Sequence, residues 1–166
     1  PFGGHPDKNK IAGVSASTGS LGHGLPVSVG IAMGNKIKEN DSKTFVLVGD
    51  GELNEGSNWE AILLASNHRL NNLICVVDHN KSTDRTLKID DLKDKFYSFG
   101  WDVDEIDGHN YEQIKLSLSK ISSIKPLAII AHTIKGKGIR KMENNPEWHH
   151  KYPNEKEYAE FIRELQ

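Results

Sequence analysis

Three short, unbroken apolar runs constrain this chain more than any other feature: Thr44–Val48 (TFVLV), Leu73–Val77 (LICVV) and Pro126–Thr133 (PLAIIAHT). A run of this length without alternation reads as a strand covered on both faces. Trp101–Ile106 adds a fourth strand. The intervening segments change period. Gly24–Glu39 reads as a helix, with Pro26 tolerated in its first turn. Glu55–Arg69 carries Trp59, Ile62, Leu63 and Ser66 at helical spacing, and Asp90–Phe99 places Leu92, Phe96 and Phe99 on one face. Asn110 with Gln113, and Asn154 with Glu157, are spaced as capping boxes, the second opening a helix that runs to the chain end. Strands alternating with helices predict an α/β class: a three-layer αβα arrangement around a mostly parallel sheet with right-handed crossovers. Ligands of such sheets sit at the carboxyl ends of the strands. The segments to inspect therefore follow Val48, Val77 and Thr133.

Length and charge narrow the function classes. The 166 residues fit one domain, and the 21 basic and 23 acidic residues leave a net charge of −2. That balance gives no global pull toward nucleic acid or an anionic membrane. No apolar run approaches the ~20 residues of a membrane helix. The single cysteine, Cys75, excludes an internal disulfide and makes a reducing cytoplasm the simplest compartment. It sits mid-strand between apolar neighbours and reads as buried and inert. The opening PFGGHPDKNK reads as a loop without a secretory leader, so an upstream region is expected to be absent from residues 1–166.

The first run ends in Gly49-Asp50-Gly51. Two glycines permit a sharp turn and a close backbone approach to a ligand, and the aspartate offers hard oxygens that suit Mg²⁺. The helix starting near Glu55 directs free N–H groups at the same edge, where an anion could sit. Alone, the triplet reads equally well as a surface turn. The second run ends in Asp78-His79-Asn80, and Asn80 follows Asp50 by 30 residues. A strand–helix–strand crossover takes about 30 residues, so the two side chains should reach one sheet edge. A carboxylate, an amide oxygen and a backbone carbonyl would make a partial octahedron, completed by phosphate oxygens and water, although Asn80 taken alone reads more readily as an ordinary turn residue. Among the histidines, His5 and His149 are acid/base candidates, since an imidazole titrates near ~6.5, although His5, between two glycines and a proline, by itself reads more readily as a structural loop residue. His150 competes with His149 for that role. His109 reads as a turn residue and His68 as an exposed helix end. Lys135 and Lys137 stand among glycines in a basic loop that could meet phosphate. Trp59 and Trp101 read as core or interface anchors.

These segments together resemble the transketolase family. GDGELNEGSNWEA followed by LNNLICVVDHN resembles its thiamine diphosphate motif, GHPD (Gly4–Asp7, with His5) its Gly-His-Pro loop, and STGSLGHG (Ser17–Gly24) its TTGPLGQG segment. HTIKGKGIRKMENNPEWHH (His132–His150) is similar to the loop ending in a further family histidine. The resemblance covers nearly the whole chain in order. It implies that Asp50, Asn80 and the carbonyl of Ser82 ligate Mg²⁺ (or Ca²⁺). Gly49, Gly51 and Glu52 would line the diphosphate, with Gly19 and Leu21 along the cofactor. Glu55 would join a proton network between sites and face the partner protomer. His5 would lie by the aminopyrimidine and the substrate carbonyl, and His149 against the diphosphate near the substrate.

The implied activity is transfer of a two-carbon ketol unit between sugar phosphates. The activating glutamate of the family belongs to a pyrimidine-binding domain with no counterpart here. The resemblance therefore implies a C-terminal pyrimidine-binding partner, a dimer or heterotetramer, and an interfacial active site. The alternatives are a specialised acyloin- or ketol-forming enzyme, or a non-catalytic binding subunit. Departures fall at Ser20 (for proline), His23 (for glutamine), His150 (for glycine) and the KSTDRTLKID run after Asn80. Arg85 and His23 are candidates for a substrate phosphate, although Arg85 reads more readily as a solvated surface group.

Overall fold

The computed structural model describes residues 4–84, 87–120 and 124–166. Its sheet comprises β1 (Thr44–Gly49), β2 (Leu73–His79), β3 (Asp102–Asp107) and β4 (Leu127–His132), all parallel in the order β1–β2–β4–β3. The helices are α1 (Gly24–Ile37), α2 (Gly56–Asn67), α3 (Leu92–Ser98), α4 (Tyr111–Leu118) and α5 (Glu155–Glu164), with short 3₁₀ turns at Gly51–Asn54 and Pro146–Trp148. The expected α/β class and parallel sheet are the ones observed. Pairing runs Gly49 opposite Asp78, and His79 and Asp107 opposite His132, so all four strand tips share one edge.

Helices α1, α2 and α3 cover one face. Leu25 and Val29, Ala61 and Ile62, and Leu92 and Phe96 pack on Val46, Val48, Cys75, Val77 and Ile130. Trp101 is wholly buried there, its indole N–H donating to the Ile62 carbonyl at 2.9 Å and its ring meeting Phe96 edge-on at 5.4 Å. Trp59 donates to the Leu53 carbonyl and leans on Phe96 and Phe99, so both tryptophans anchor the core. Burial, reinforced by the Glu52 carboxylate, pushes the Cys75 thiol far above its usual range, which keeps it protonated and inert.

Among the described residues, α4 is the helix on the other face, and its Ile114 packs with Ile74, Ile106, Leu127 and Ile129. Here the expectation for TFVLV needs correction. β1 buries alternate residues, leaving Phe45 54% and Leu47 72% exposed. It lies at the sheet edge, whereas α4 packs mainly on β3 at the other edge. β4, the inner strand beneath helices on both sides, buries every residue from Leu127 to Ala131.

The caps formed as the residue spacing directs, with one difference. Asn154 and Glu157 make both bonds of the capping box. Asn110 accepts from the N–H groups of Glu112 and Gln113, but the Gln113 side chain accepts from Asp107 N–H at 2.8 Å instead of returning to Asn110. That bond fastens the end of β3 to α4. Among the described residues no helix is long and apolar enough to cross a membrane.

Candidate cofactor site at the strand tips

β1 stops at Gly49, yet Asp50 continues its ladder by one bond, its N–H donating to the Asp78 carbonyl at 3.1 Å. Asp50 is 4% exposed. One carboxylate oxygen, Oδ1, accepts from Gly51 N–H at 2.7 Å and caps the 3₁₀ turn. The other, Oδ2, accepts from Lys81 N–H at 2.6 Å. The residue after Asn80 thus touches Asp50 directly, and the two strand tips adjoin. Asn80 Oδ1 accepts from Ser82 N–H at 3.0 Å in an Asx turn, and Asn80 Nδ2 donates to Asp78 Oδ2 at 2.8 Å. Behind it, the Thr133 hydroxyl from the end of β4 donates to Asp78 Oδ1. A Cβ on Gly51 would lie 2.7 Å from the Thr83 methyl, so the 81–83 loop closes over Gly51 and Thr83 would have to shift to admit a side chain there.

This donor set has a definite chemistry. Among the described residues no group of three or more His, Cys, Asp or Glu side chains is arranged to hold a metal ion. One carboxylate, one amide oxygen and a loop carbonyl are hard and few. They fit a cation that keeps water and phosphate oxygens as its remaining ligands, as Mg²⁺ does.

A second wall comes from the 17–24 loop. Gly22 N–H donates to Glu52 Oε1 at 3.1 Å, and Ser57 Oγ donates to the Gly22 carbonyl at 2.7 Å. Gly22 has φ +76°, and a Cβ there would sit 2.5 Å from Ser57 Oγ and 2.7 Å from Glu55 Cβ. The loop is therefore locked onto the turn that follows Asp50, while Leu21 remains 59% exposed. The His5 ring packs against Gly19, 3.0 Å from where a Cβ would stand. His5, Gly19, Leu21, His23 and Glu52 line one open cleft of about 1170 Å³ that continues along Phe45 and Leu47. A smaller cavity, about 160 Å³, lies by Lys43, Leu118 and Leu127, at the opposite ends of the strands. Glu55 starts α2 with its side chain exposed. Ser20 Oγ and Leu21 O both lie within hydrogen-bond reach of His23 Nδ1, at 3.1 and 3.0 Å.

His149 belongs to a third cluster. Its Nδ1 is 2.5 Å from Lys135 Nζ, and its ring meets His150 edge-on at 4.3 Å. The Lys135 charge chiefly, then partial burial and His150, lowers its pKa below the usual 6.5. With Nδ1 accepting from the ammonium, the neutral ring carries its proton on Nε2 and presents a donor there. The segment is braced by Trp148 against Phe161 of α5 at 5.3 Å.

The structure thus joins Asp50 to the Asn80–Ser82 loop, Glu52 to the Gly22 loop and His5 to Gly19, with His149 in its own cluster. His109 Nε2 accepts from Ile134 N–H at 2.8 Å, the turn role its neighbours suggest. Arg85 lies outside the described residues. Sequence reasoning missed Asp78 and Thr133 as the support behind Asn80, and the adjoining His79 and His132 rings, 5.1 Å apart and tilted by 45°, with His132 Nε2 3.2 Å from Glu105. The Asp two residues before Asn80 was the available signal. Thr133 is 55 residues from Asp78 and gives none.

Residues 2–165 match the family model described as transketolase, thiamine diphosphate binding domain. The chain is 45% identical over 168 residues to a subunit of the apulose-4-phosphate transketolase of Actinobacillus succinogenes, covering 98% of this chain and 61% of that protein. Its likeness to the protein of the same name from Phocaeicola vulgatus is 40% over 169 residues, 98% of this chain and 60% of the relative. Transketolase from Campylobacter jejuni superposes with a TM-score of 0.79 at 35% identity, over 87% of this chain and 24% of that one. The chain belongs to the transketolase thiamine diphosphate-binding domain family. It spans about three fifths of the length of the two apulose-4-phosphate transketolase relatives.

Proposed function

We propose that residues 1–166 act as one diphosphate-binding unit, supplying the Mg²⁺–diphosphate side of an interfacial site that transfers a two-carbon ketol unit between sugar phosphates. The observation that best supports this reading is the contact of Lys81 N–H with Asp50 Oδ2 at 2.6 Å, which brings the loop that follows Asn80 onto the Asp50 carboxylate. Asp50, Asn80 and the Ser82 carbonyl would hold Mg²⁺ (or Ca²⁺), and Gly49, Gly51 and Glu52 would line the diphosphate. Gly19 and Leu21 would border the rest of the cofactor. Thiamine diphosphate, when bound, supplies the nucleophilic carbon and the electron sink for C–C cleavage.

This chain's own groups orient and move protons. His149 Nε2–H offers a donor to anionic oxygens, and its lowered pKa leaves the ring neutral at pH 7. His5, at the mouth of the cleft beside Gly19, would meet the substrate carbonyl. The exposed Glu55 would face a pyrimidine-binding partner in a dimer or heterotetramer. Both apulose-4-phosphate transketolase relatives are named as one subunit of their enzyme, which supports a separate partner here. A specialised ketose phosphate is favoured over a common one by the Ser20–His23 pair, which sits on the cleft wall where the family pattern departs. The single buried thiol suits a reducing, cytoplasmic setting.

Calorimetric titration with thiamine diphosphate, with and without Mg²⁺, on the chain co-purified with its partner tests the reading. Mg²⁺-dependent binding lost in Asp50→Ala and Asn80→Ala supports it. Unchanged binding in both variants refutes it.

A further inference from the structure

We propose that Asp78 is a positioning residue that sets which end of the Asn80 amide faces the cation; this rests on the Mg²⁺–diphosphate reading above. An amide has one end that can ligate a cation and one that repels it. The two ends of Asn80 are sorted by their neighbours. Nδ2 donates to Asp78 Oδ2 at 2.8 Å, while Oδ1 accepts from Ser82 N–H at 3.0 Å. A half-turn of the amide would set oxygen against the Asp78 carboxylate and NH₂ against the Ser82 N–H, losing both bonds. The Ser82 contact alone is weak insurance, because that same loop is the segment a bound cation would engage.

Asp78 is itself fixed from two other strands. Its Oδ1 accepts from the Thr133 hydroxyl at the end of β4, and its backbone carbonyl accepts from Asp50 N–H at 3.1 Å. One residue therefore ties together the tips of β1, β2 and β4 and aims the only amide among the cation's proposed side-chain ligands. Outer groups that orient first ligands typically change metal affinity about 10–100-fold when removed.

The same calorimetric titration of the co-purified complex, with Mg²⁺ and thiamine diphosphate, tests the proposal in two backgrounds. In the wild-type background, Asp78→Ala weakens Mg²⁺-dependent binding by about 10–100-fold. Asp78→Asn, whose amide oxygen still accepts from Asn80 Nδ2, stays close to wild type. In an Asn80→Asp background both ligand atoms are oxygens and need no sorting, so adding Asp78→Ala costs nothing further. Three results overturn the proposal: Asp78→Ala binding as tightly as wild type, Asp78→Asn as damaging as Asp78→Ala (a charge effect), or equal loss in both backgrounds (a structural effect). Should Asp78→Ala fail to fold, Asp78→Ser keeps a hydroxyl at the strand end for Thr133 yet cannot reach Asn80, and carries the same expectations. Unchanged binding in Asp50→Ala and Asn80→Ala sinks the site itself, an outcome distinct from all three.

Discussion

Gly22→Ala tests how the second wall of the cleft is held. Kept docked, an alanine at φ +76° would adopt a left-handed conformation costing roughly 1–2 kcal/mol. Its methyl would also stand 2.5 Å from Ser57 Oγ, breaking the Ser57–Gly22 hydrogen bond, a further ~0.5–1.5 kcal/mol. Undocking the loop instead forfeits that bond and the one from Gly22 N–H to Glu52, about 2–4 kcal/mol together because the second is to a charged group. The two routes cost about the same. The loop route leaves the helix-on-sheet core intact, so the chain takes it. Protection of the residue-22 amide against hydrogen exchange should then fall by about 10–100-fold, with little change in the global melting temperature. Affinity for thiamine diphosphate should fall in parallel, since Gly19 and Leu21 move with the loop. Unchanged exchange at residue 22 would refute the locking argument. A large global melting shift with the loop still protected would refute the choice of route.

Two further expectations follow from other parts of the molecule. Lys135→Gln removes the charge that chiefly depresses the His149 pKa, so the NMR titration midpoint of His149 should move up toward 6.5. A depressed histidine pKa means the folded form resists protonation, so His149 contributes stability above the unfolded pKa that is lost as pH falls; Lys135→Gln should flatten that slope in melts taken between pH 5 and 7. Asn154→Ala removes the side-chain acceptor of the Glu157 N–H while leaving the residue-154 N–H bonded to the Glu157 carboxylate, costing about 1 kcal/mol at the start of α5. Trp148 fluorescence, which reports its contact with Phe161 of α5, should lose its native signal before the core melts.

Much of this fold is legible in the residues because local chemistry and global architecture agree. LICVV and LAIIA are inner strands, buried along their length except for the half-buried Val76, and the Asn154–Glu157 box closes where its spacing says. TFVLV departs on one face because an apolar run does not say whether a strand is central or at an edge; that is decided by strand order, which depends on distant segments. Gln113 takes Asp107 instead of Asn110 for the same reason: a tertiary neighbour outcompetes a local one. At the site, the spacing of Asp50 and Asn80 foretells that their strand tips adjoin, since a crossover returns the chain to the neighbouring strand; the contact observed is from Lys81 N–H to Asp50. The support behind them is hidden. Thr133 reaches Asp78 only because β4 inserts beside β2, and the Ser20–His23 bond is visible only once the 17–24 loop turns back on itself.

The most direct test is to locate the metal. Crystals of the complex grown with thiamine diphosphate and Mn²⁺, a diffracting stand-in for Mg²⁺, should give one anomalous peak about 2.0–2.3 Å from Asp50 Oδ2 and Asn80 Oδ1, with diphosphate oxygens on its far side. A peak ligated by neither residue, or diphosphate bound elsewhere, would contradict the account.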